Sequence, residues 1–139
     1  MEDRYLFKAK DCNSIWRAGL LIALQEDRCA IEESDGSKWA CDARTLCQCT
    51  GLKDKNGKLI WENDIVKDLF SDACAQIKYG SYQSCFDSAK TEHVGFYVDW
   101  SGKYTKRYRK DLGYWINMVN AEVIGNIFDN PELLESEEK

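Results

Sequence analysis

Two dipeptides, Asp35-Gly36 and Asn56-Gly57, each stand among short apolar and aromatic runs, and they constrain this chain's fold more than any other feature. Asx-Gly pairs reverse a chain tightly because they tolerate the positive φ that hairpin turns require. Lys38-Trp39-Ala40-Cys41 returns after the first turn and Leu59-Ile60-Trp61 after the second. Farther on, Cys74–Tyr79 alternates like a strand facing one core, and Val94–Trp100 is the stretch richest in β-formers. Val123–Phe128 reads as a last short strand. Ile15–Leu24 has enough Ala and Leu for a helix, but Gly19 in its middle favours a hairpin, as does the charged tip Glu26-Asp27-Arg28 before Cys29-Ala30-Ile31. Asn130-Pro131-Glu132 predicts a short C-terminal helix, with Asn as N-cap and Pro at the first helical position. The fold class expected is mainly β, a barrel or a sandwich.

At 139 residues the chain suits one domain, 1–139. A composition shift over 48–57 leaves open a division into an N-terminal β segment, 1–48, and a second region, 49–139. Five Trp, seven Tyr and five Phe are too much ring surface for a disordered chain. No apolar run approaches the roughly 20 residues that span a bilayer. Met1-Glu2-Asp3-Arg4 is followed by no apolar core of a signal peptide, so the expected location is the cytoplasm.

The net charge of −5 argues against a general coat for nucleic acid, whose affinity grows with each phosphate neutralised. That total hides an uneven spread. Lys103, Lys106, Arg107, Arg109 and Lys110 place five cations in eight residues, interleaved with Tyr104 and Tyr108, whereas Asp129, Glu132, Glu135, Glu137 and Glu138 make the end acidic. Opposed local fields favour association, and head-to-tail self-association is the simplest form. As a strand, the run would place Lys106, Tyr108 and Lys110 on one face and Arg107 and Arg109 on the other, suited to phosphate pairing and base stacking. The competing reading is a solvated edge kept from pairing by its charge. Lys103, Lys106, Arg107, Tyr108, Arg109 and Lys110 are the candidate binding residues.

Seven cysteines, an odd number, suit free thiols in a reducing compartment. Cys41, Cys47 and Cys49 form the dense cluster, but C-x5-C-x-C is a poor zinc spacing and the one His, His93, is distant. Packing outweighs both a metal site and a reactive thiol, for which Arg44 is thin support. No metal and no cofactor are expected. Nor does the chain carry a nucleophile elbow, a metalloprotease His pair or a phosphate-binding glycine loop. Glu62 and Asp64, two apart, would share a strand face as a carboxylate pair, but an Asp accepting backbone N–H bonds at a hairpin exit is the stronger reading. An enzyme is not expected.

The string Gln48-Cys49-Thr50-Gly51-Leu52-Lys53-Asp54-Lys55-Asn56-Gly57-Lys58-Leu59-Ile60-Trp61-Glu62-Asn63-Asp64-Ile65-Val66 resembles the signature of the YopX family of phage and prophage proteins. Arg109–Ile116 and Glu122–Leu134 resemble two later segments of that family in order, and Phe7–Trp16 followed by Gly19 its opening more loosely. Cys49 replaces a usual aromatic, Cys47 a small residue, and Asn63 a typical Gly; Asn tolerates left-handed backbone, which suggests the same turn. Ser81–His93 has no counterpart. The resemblance implies coiled β-sheets with an SH3-like barrel, a tendency to oligomerise and no enzymatic activity. The expected function is a non-catalytic phage or prophage accessory protein of the host cytoplasm. It would form a homo-oligomer and bind a host or phage macromolecule or a small nucleotide-like ligand, away from membranes. The alternative is a nucleic-acid-binding protein that uses 103–110.

Overall fold

The structure is a computed structural model that describes residues 5–67, 74–83, 92–100, 110–111 and 121–135. It is mainly β, with a short C-terminal helix, as expected, and it divides into two compact units, 1–52 and 53–139.

In the first unit, β1 (Phe7–Lys10), β2 (Trp16–Leu24), β3 (Arg28–Glu32), β4 (Lys38–Asp42) and the start of β5 (Cys47–Lys53) are all antiparallel neighbours, in the order β4-β3-β2-β1-β5. Ile15–Leu24 therefore resolves to a strand and not a helix. Gly19 explains why: a Cβ there would lie 2.1 Å from the Glu32 carbonyl oxygen, so only glycine admits this approach of β3. An antiparallel bridge between Asp11 and Cys41 brings the chain just beyond β1 against β4. A 3-10 turn, Ala43–Thr45, follows β4, and the Thr45 hydroxyl ties the two ends together by accepting the Lys10 N–H at 2.8 Å and donating to the Asp42 carbonyl at 2.7 Å. Ala9, Cys29, Ile31 and Cys41 form the core, with Phe7, Leu21, Trp39, Ala43 and Leu46 against it. Burying Ile31 alone is worth about 2 kcal/mol.

In the second unit, β6 (Leu59–Trp61), β7 (Asp64–Lys67), β8 (Cys74–Gln83), β9 (Glu92–Trp100), β10 (Lys110–Asp111) and β11 (Glu122–Asn126) precede α1 (Glu132–Glu135). The sheet order is β10-β9-β8-β7-β11. Ile60, Val66, Ala75, Ile77, Val98, Ala121 and Val123 pack as its core. Inward Ala75 and Ile77 alternate with half-exposed Gln76 and Lys78, the period-two pattern read from the sequence. Among the described residues no ladder joins β10 to β11, and closure of the SH3-like barrel that the resemblance implies is not seen among them.

Both Asx-Gly turns form hairpin loops, as expected. In each, a residue bonds the carbonyl four positions on, Glu33 N to Ser37 O and Asp54 N to Lys58 O, both at 2.8 Å. Only the glycine takes positive φ, +90° at Gly36 and +82° at Gly57, while Asp35 and Asn56 keep negative φ. These are three-residue loops in which the glycine takes the left-handed position that closes the bulge.

Candidate interaction surface

β2 is apolar in both of its side-chain phases. Successive side chains of a strand point to opposite faces. Arg17 and Leu21 face the core side, which leaves Trp16, Ala18 and Leu20 on the outer side. A bulge between Leu21 and Ala23 releases Ile22 from the ladder and continues the outer row with Ala23. The register extends that row sideways: Lys10 lies beside Trp16, Lys8 beside Ala18, Glu32 beside Leu20, and Ala30 beside both Ala23 and Ala40. Leu20 is 49% exposed and Ile22 45%. Ala18, Ala23 and Ala40 are exposed too. Lys8 Nζ stands 4.7 Å and Lys10 Nζ 5.3 Å from the centre of the Trp16 ring, so two ammonium groups lie over one ring. Scattered exposed leucines are ordinary on a protein surface, but a contiguous apolar row flanked by charge marks an interaction site.

The opposite phase is locked. The Arg17 guanidinium stacks 3.5 Å over the Trp39 ring, whose Nε1 donates to Glu33 Oε1 at 2.8 Å. Arg17 Nε donates to Asp11 Oδ2 at 2.9 Å, and Asp11 Oδ1 accepts the N–H groups of Asn13 and Ile15. The Arg17 bond, with those backbone donors, holds the Asp11 carboxyl below its ordinary value. This network holds Arg17 on the core side, which leaves its neighbours Trp16 and Ala18 on the outer face.

A polar cleft of about 540 Å³ opens at one end of the first unit, lined among others by Asp11, Cys12, Ser14, Arg28, Cys41 and Arg44. Its Asp42 carboxylate holds Arg44 through Nε and Nη2, both at 3.0 Å, on an exposed edge. Burial, with Cys29 and Asp11 adding, pushes the Cys41 thiol up to about 11, and burial followed by Asp42 raises that of Cys29. Cys41 lies opposite Cys29 across the β3–β4 ladder, and Cys47 and Cys49 are buried in β5. The cleft therefore presents charged side chains, the exposed Cys12 thiol and, at Cys41, a buried thiol of raised pKa. Among the described residues, no three His, Cys, Asp or Glu side chains gather as metal ligands.

The polar residues of the Gln48–Val66 string hold backbone. Asp54 Oδ1 accepts Asn56 N and Lys58 N, both at 2.9 Å, and its Oδ2 accepts Val123 N at 2.9 Å. Burial raises the Asp54 carboxyl, but those three N–H donors outweigh it and bring it below the ordinary value. Asn63 takes φ 71°, the left-handed turn expected of it, donates its N–H to Ile77 O at 2.7 Å and accepts Ile127 N at 3.0 Å. Asp64, buried, accepts Trp61 N at 2.8 Å, as the backbone reading of this residue anticipated. Glu62 lies in the turn rather than the strand, so the expected shared face with Asp64 does not form: Asn63 reverses the chain between them.

Of the expected basic site, Lys103, Lys106, Arg107, Tyr108 and Arg109 lie outside the described residues, and Lys110 enters β10 opposite Val98. The outer row of β2 was not read as a site from sequence, although its signal was present. A strand with one buried face alternates, and Ile15–Leu24 does not.

No curated protein matches the chain. A family model described as YopX protein matches residues 6–135. Among solved structures, the crystal structure of protein EF1440 from Enterococcus faecalis is similar, with a TM-score of 0.53 and 22% identity over 92% of this chain and 96% of that one.

Proposed function

The chain belongs to the YopX protein family, and from that premise we propose that it is a non-catalytic phage or prophage accessory protein. It works in the host cytoplasm by assembling with itself and by binding a host or phage macromolecule or a small nucleotide-like ligand. The observation that carries this reading is the exposed outer row of β2, where Leu20 stands among alanines beside the Lys8–Trp16–Lys10 cluster, with exposed Ile22 in the bulge that follows. An apolar row of this kind gains free energy only when a partner covers it. The non-catalytic part rests on Asp54, Asn63 and Asp64, polar groups of the family-like string that are engaged with main-chain atoms and not turned toward a substrate. A helix long and apolar enough to cross a membrane does not occur among the described residues.

Native mass spectrometry of the purified protein tests the reading. Species at multiples of 16.0 kDa, or 16.0 kDa species carrying a non-covalent adduct, support it. A bare monomer that captures no partner or ligand in phage-infected host extract contradicts it.

The second reading is nucleic-acid binding through 103–110, favoured by the five cations in those eight residues.

A further inference from the structure

Cys29 and Cys41 face each other directly. The β3–β4 ladder runs without a shift from Arg28–Asp42 to Glu32–Lys38, and Cys29–Cys41 is one of its pairs. Both side chains are buried in one core cluster with Ala9 and Ile31. Ala43 N donates to Asp27 O at one end of the ladder, and Glu33 N to Ser37 O at the other. Bonded pairs recur at every second position, so Cys29 and Cys41 form a hydrogen-bonded pair with Cα atoms about 5.5 Å apart. A disulfide spans Cα separations of about 4.4–6.8 Å. Among the described residues no other two cysteines stand opposite each other. Cys12 is exposed, whereas Cys41, across from its neighbour Asp11, is turned into the core. Cys47 and Cys49 lie two apart on one strand, about 6.7 Å between Cα atoms and at the limit of that span. Cys74 belongs to the other unit.

We propose that Cys29 and Cys41 are a redox pair, which hydrogen peroxide closes into a cross-strand disulfide that locks β3 to β4 and which thiol reductants reopen. Cys41 also lines the polar cleft, a path for an oxidant as small as peroxide. Its thiolate attacks one peroxide oxygen and displaces hydroxide, which leaves a sulfenic acid. The Cys29 sulfur then displaces that hydroxyl, which departs with the Cys29 proton as water. Two thiols and one peroxide give one disulfide and two waters. Burial raises both thiols, so the protonated, reduced pair is the resting form near neutral pH. The bond is made to be reversible. Cβ atoms of a hydrogen-bonded pair stand about 5.5 Å apart, beyond the roughly 4 Å of a relaxed disulfide, and a strained disulfide is readily reduced. Because β3 also pairs with β2, the lock holds the sheet that carries the outer row, whatever covers that row.

The test uses the full chain carrying Cys12→Ser, which removes the exposed thiol. The folded protein is treated with hydrogen peroxide, its remaining thiols are alkylated in denaturant, and trypsin digestion is followed by mass spectrometry. Cleavage after Arg28, Lys38 and Arg44 places Cys29 in peptide 29–38 and Cys41 in peptide 39–44. These two peptides should appear joined, lighter than their sum by two hydrogens, and dithiothreitol should separate them. Peptide 45–53, with Cys47 and Cys49, should stay alkylated. Oxidation should raise the thermal midpoint by about 5 °C, and dithiothreitol should return it. Adding Cys29→Ala should abolish that rise; if this variant does not fold, the peptide map of the Cys12→Ser protein decides the matter alone. Peptides 29–38 and 39–44 recovered separately, as thiols or as sulfinic acids, overturn the pair. A joined pair with no rise in midpoint overturns the lock.

Discussion

The Asp54 carboxylate accepts the backbone N–H of Val123 at 2.9 Å across 69 positions of sequence. Through this bond the loop carrying Asn56-Gly57 is fastened to β11, and the neighbouring bonds from Lys55 N to Ala121 O and from Asn56 Nδ2 to Glu122 Oε2 repeat the connection. Residues of the Gln48–Val66 string thus fasten the second unit. Asp54→Ala leaves a buried main-chain donor without its acceptor and should cost about 3 kcal/mol. For a chain of this size that lowers the thermal midpoint by about 10 °C, measurable by calorimetry. A shift within error would show that the bond carries no stability.

Acid should loosen both units through their depressed carboxyls. Asp11 is held down first by the Arg17 bond, whereas Asp54 is held down by its N–H donors against the opposing effect of burial. A carboxyl whose folded pKa lies below its unfolded value, near 3.8, contributes stability that is fully present above that value. The contribution fades as pH falls through the folded value. Denaturant midpoints should therefore be flat with respect to these groups near neutrality and drop below about pH 4. Asp54→Asn should flatten part of that drop, and an unchanged acid limb in this variant would contradict the assignment.

Asn63 at φ 71° distinguishes two substitutions that remove the same amide. Alanine must enter the left-handed region at a cost of about 1–2 kcal/mol, which glycine escapes. Both lose the bond from Gln76 Nε2 to Asn63 Oδ1. Asn63→Ala should consequently unfold at lower urea than Asn63→Gly, and equal midpoints would show that backbone conformation is not the constraint here.

Thiol labelling separates surface from core. Cys12 is exposed, whereas Cys29, Cys41, Cys47, Cys49 and Cys74 are buried. With the Cys41 thiol pushed up to about 11, only about one in a thousand is ionised near pH 8. Iodoacetamide followed by peptide mass spectrometry should mark Cys12 in the native protein and Cys41 only after denaturation. Prompt native labelling of Cys41 would contradict its burial.

For the nucleic-acid reading, affinity for single-stranded DNA or RNA should fall steeply with salt, and Arg107→Ala with Arg109→Ala should reduce the slope by about two. Undetectable binding at low salt would remove that reading.

The sequence was most legible where local chemistry decides the backbone. Gly36 and Gly57 mark their turns because no other residue in those loops takes positive φ, and Asn63 is readable as the left-handed residue for the same reason. Glu62 and Asp64 were harder: their spacing suits a strand face, but the reversal at Asn63 depends on tertiary bonds to Ile77 and Ile127. The hairpin of Ile15–Leu24 was one of two readings, and what decides it is the approach of the Glu32 carbonyl to Gly19, a nonlocal contact. The outer face was legible in principle from the two-phase apolarity of β2. Its charged flanks were not, since Lys8 and Glu32 come to stand on either side of β2 only through the registers that β1 and β3 share with that strand.

Light scattering coupled to size exclusion tests the central claim most directly: that the family-like string is framework while β2 carries the function by self-assembly. The account predicts that the native chain elutes at a multiple of 16.0 kDa and that Leu20→Glu, still folded, elutes as a monomer. Asp54→Ala, less stable, should keep the native mass below its own unfolding temperature. A native chain of 16.0 kDa at every concentration would contradict the account, as would a folded Leu20→Glu variant that retains the native mass.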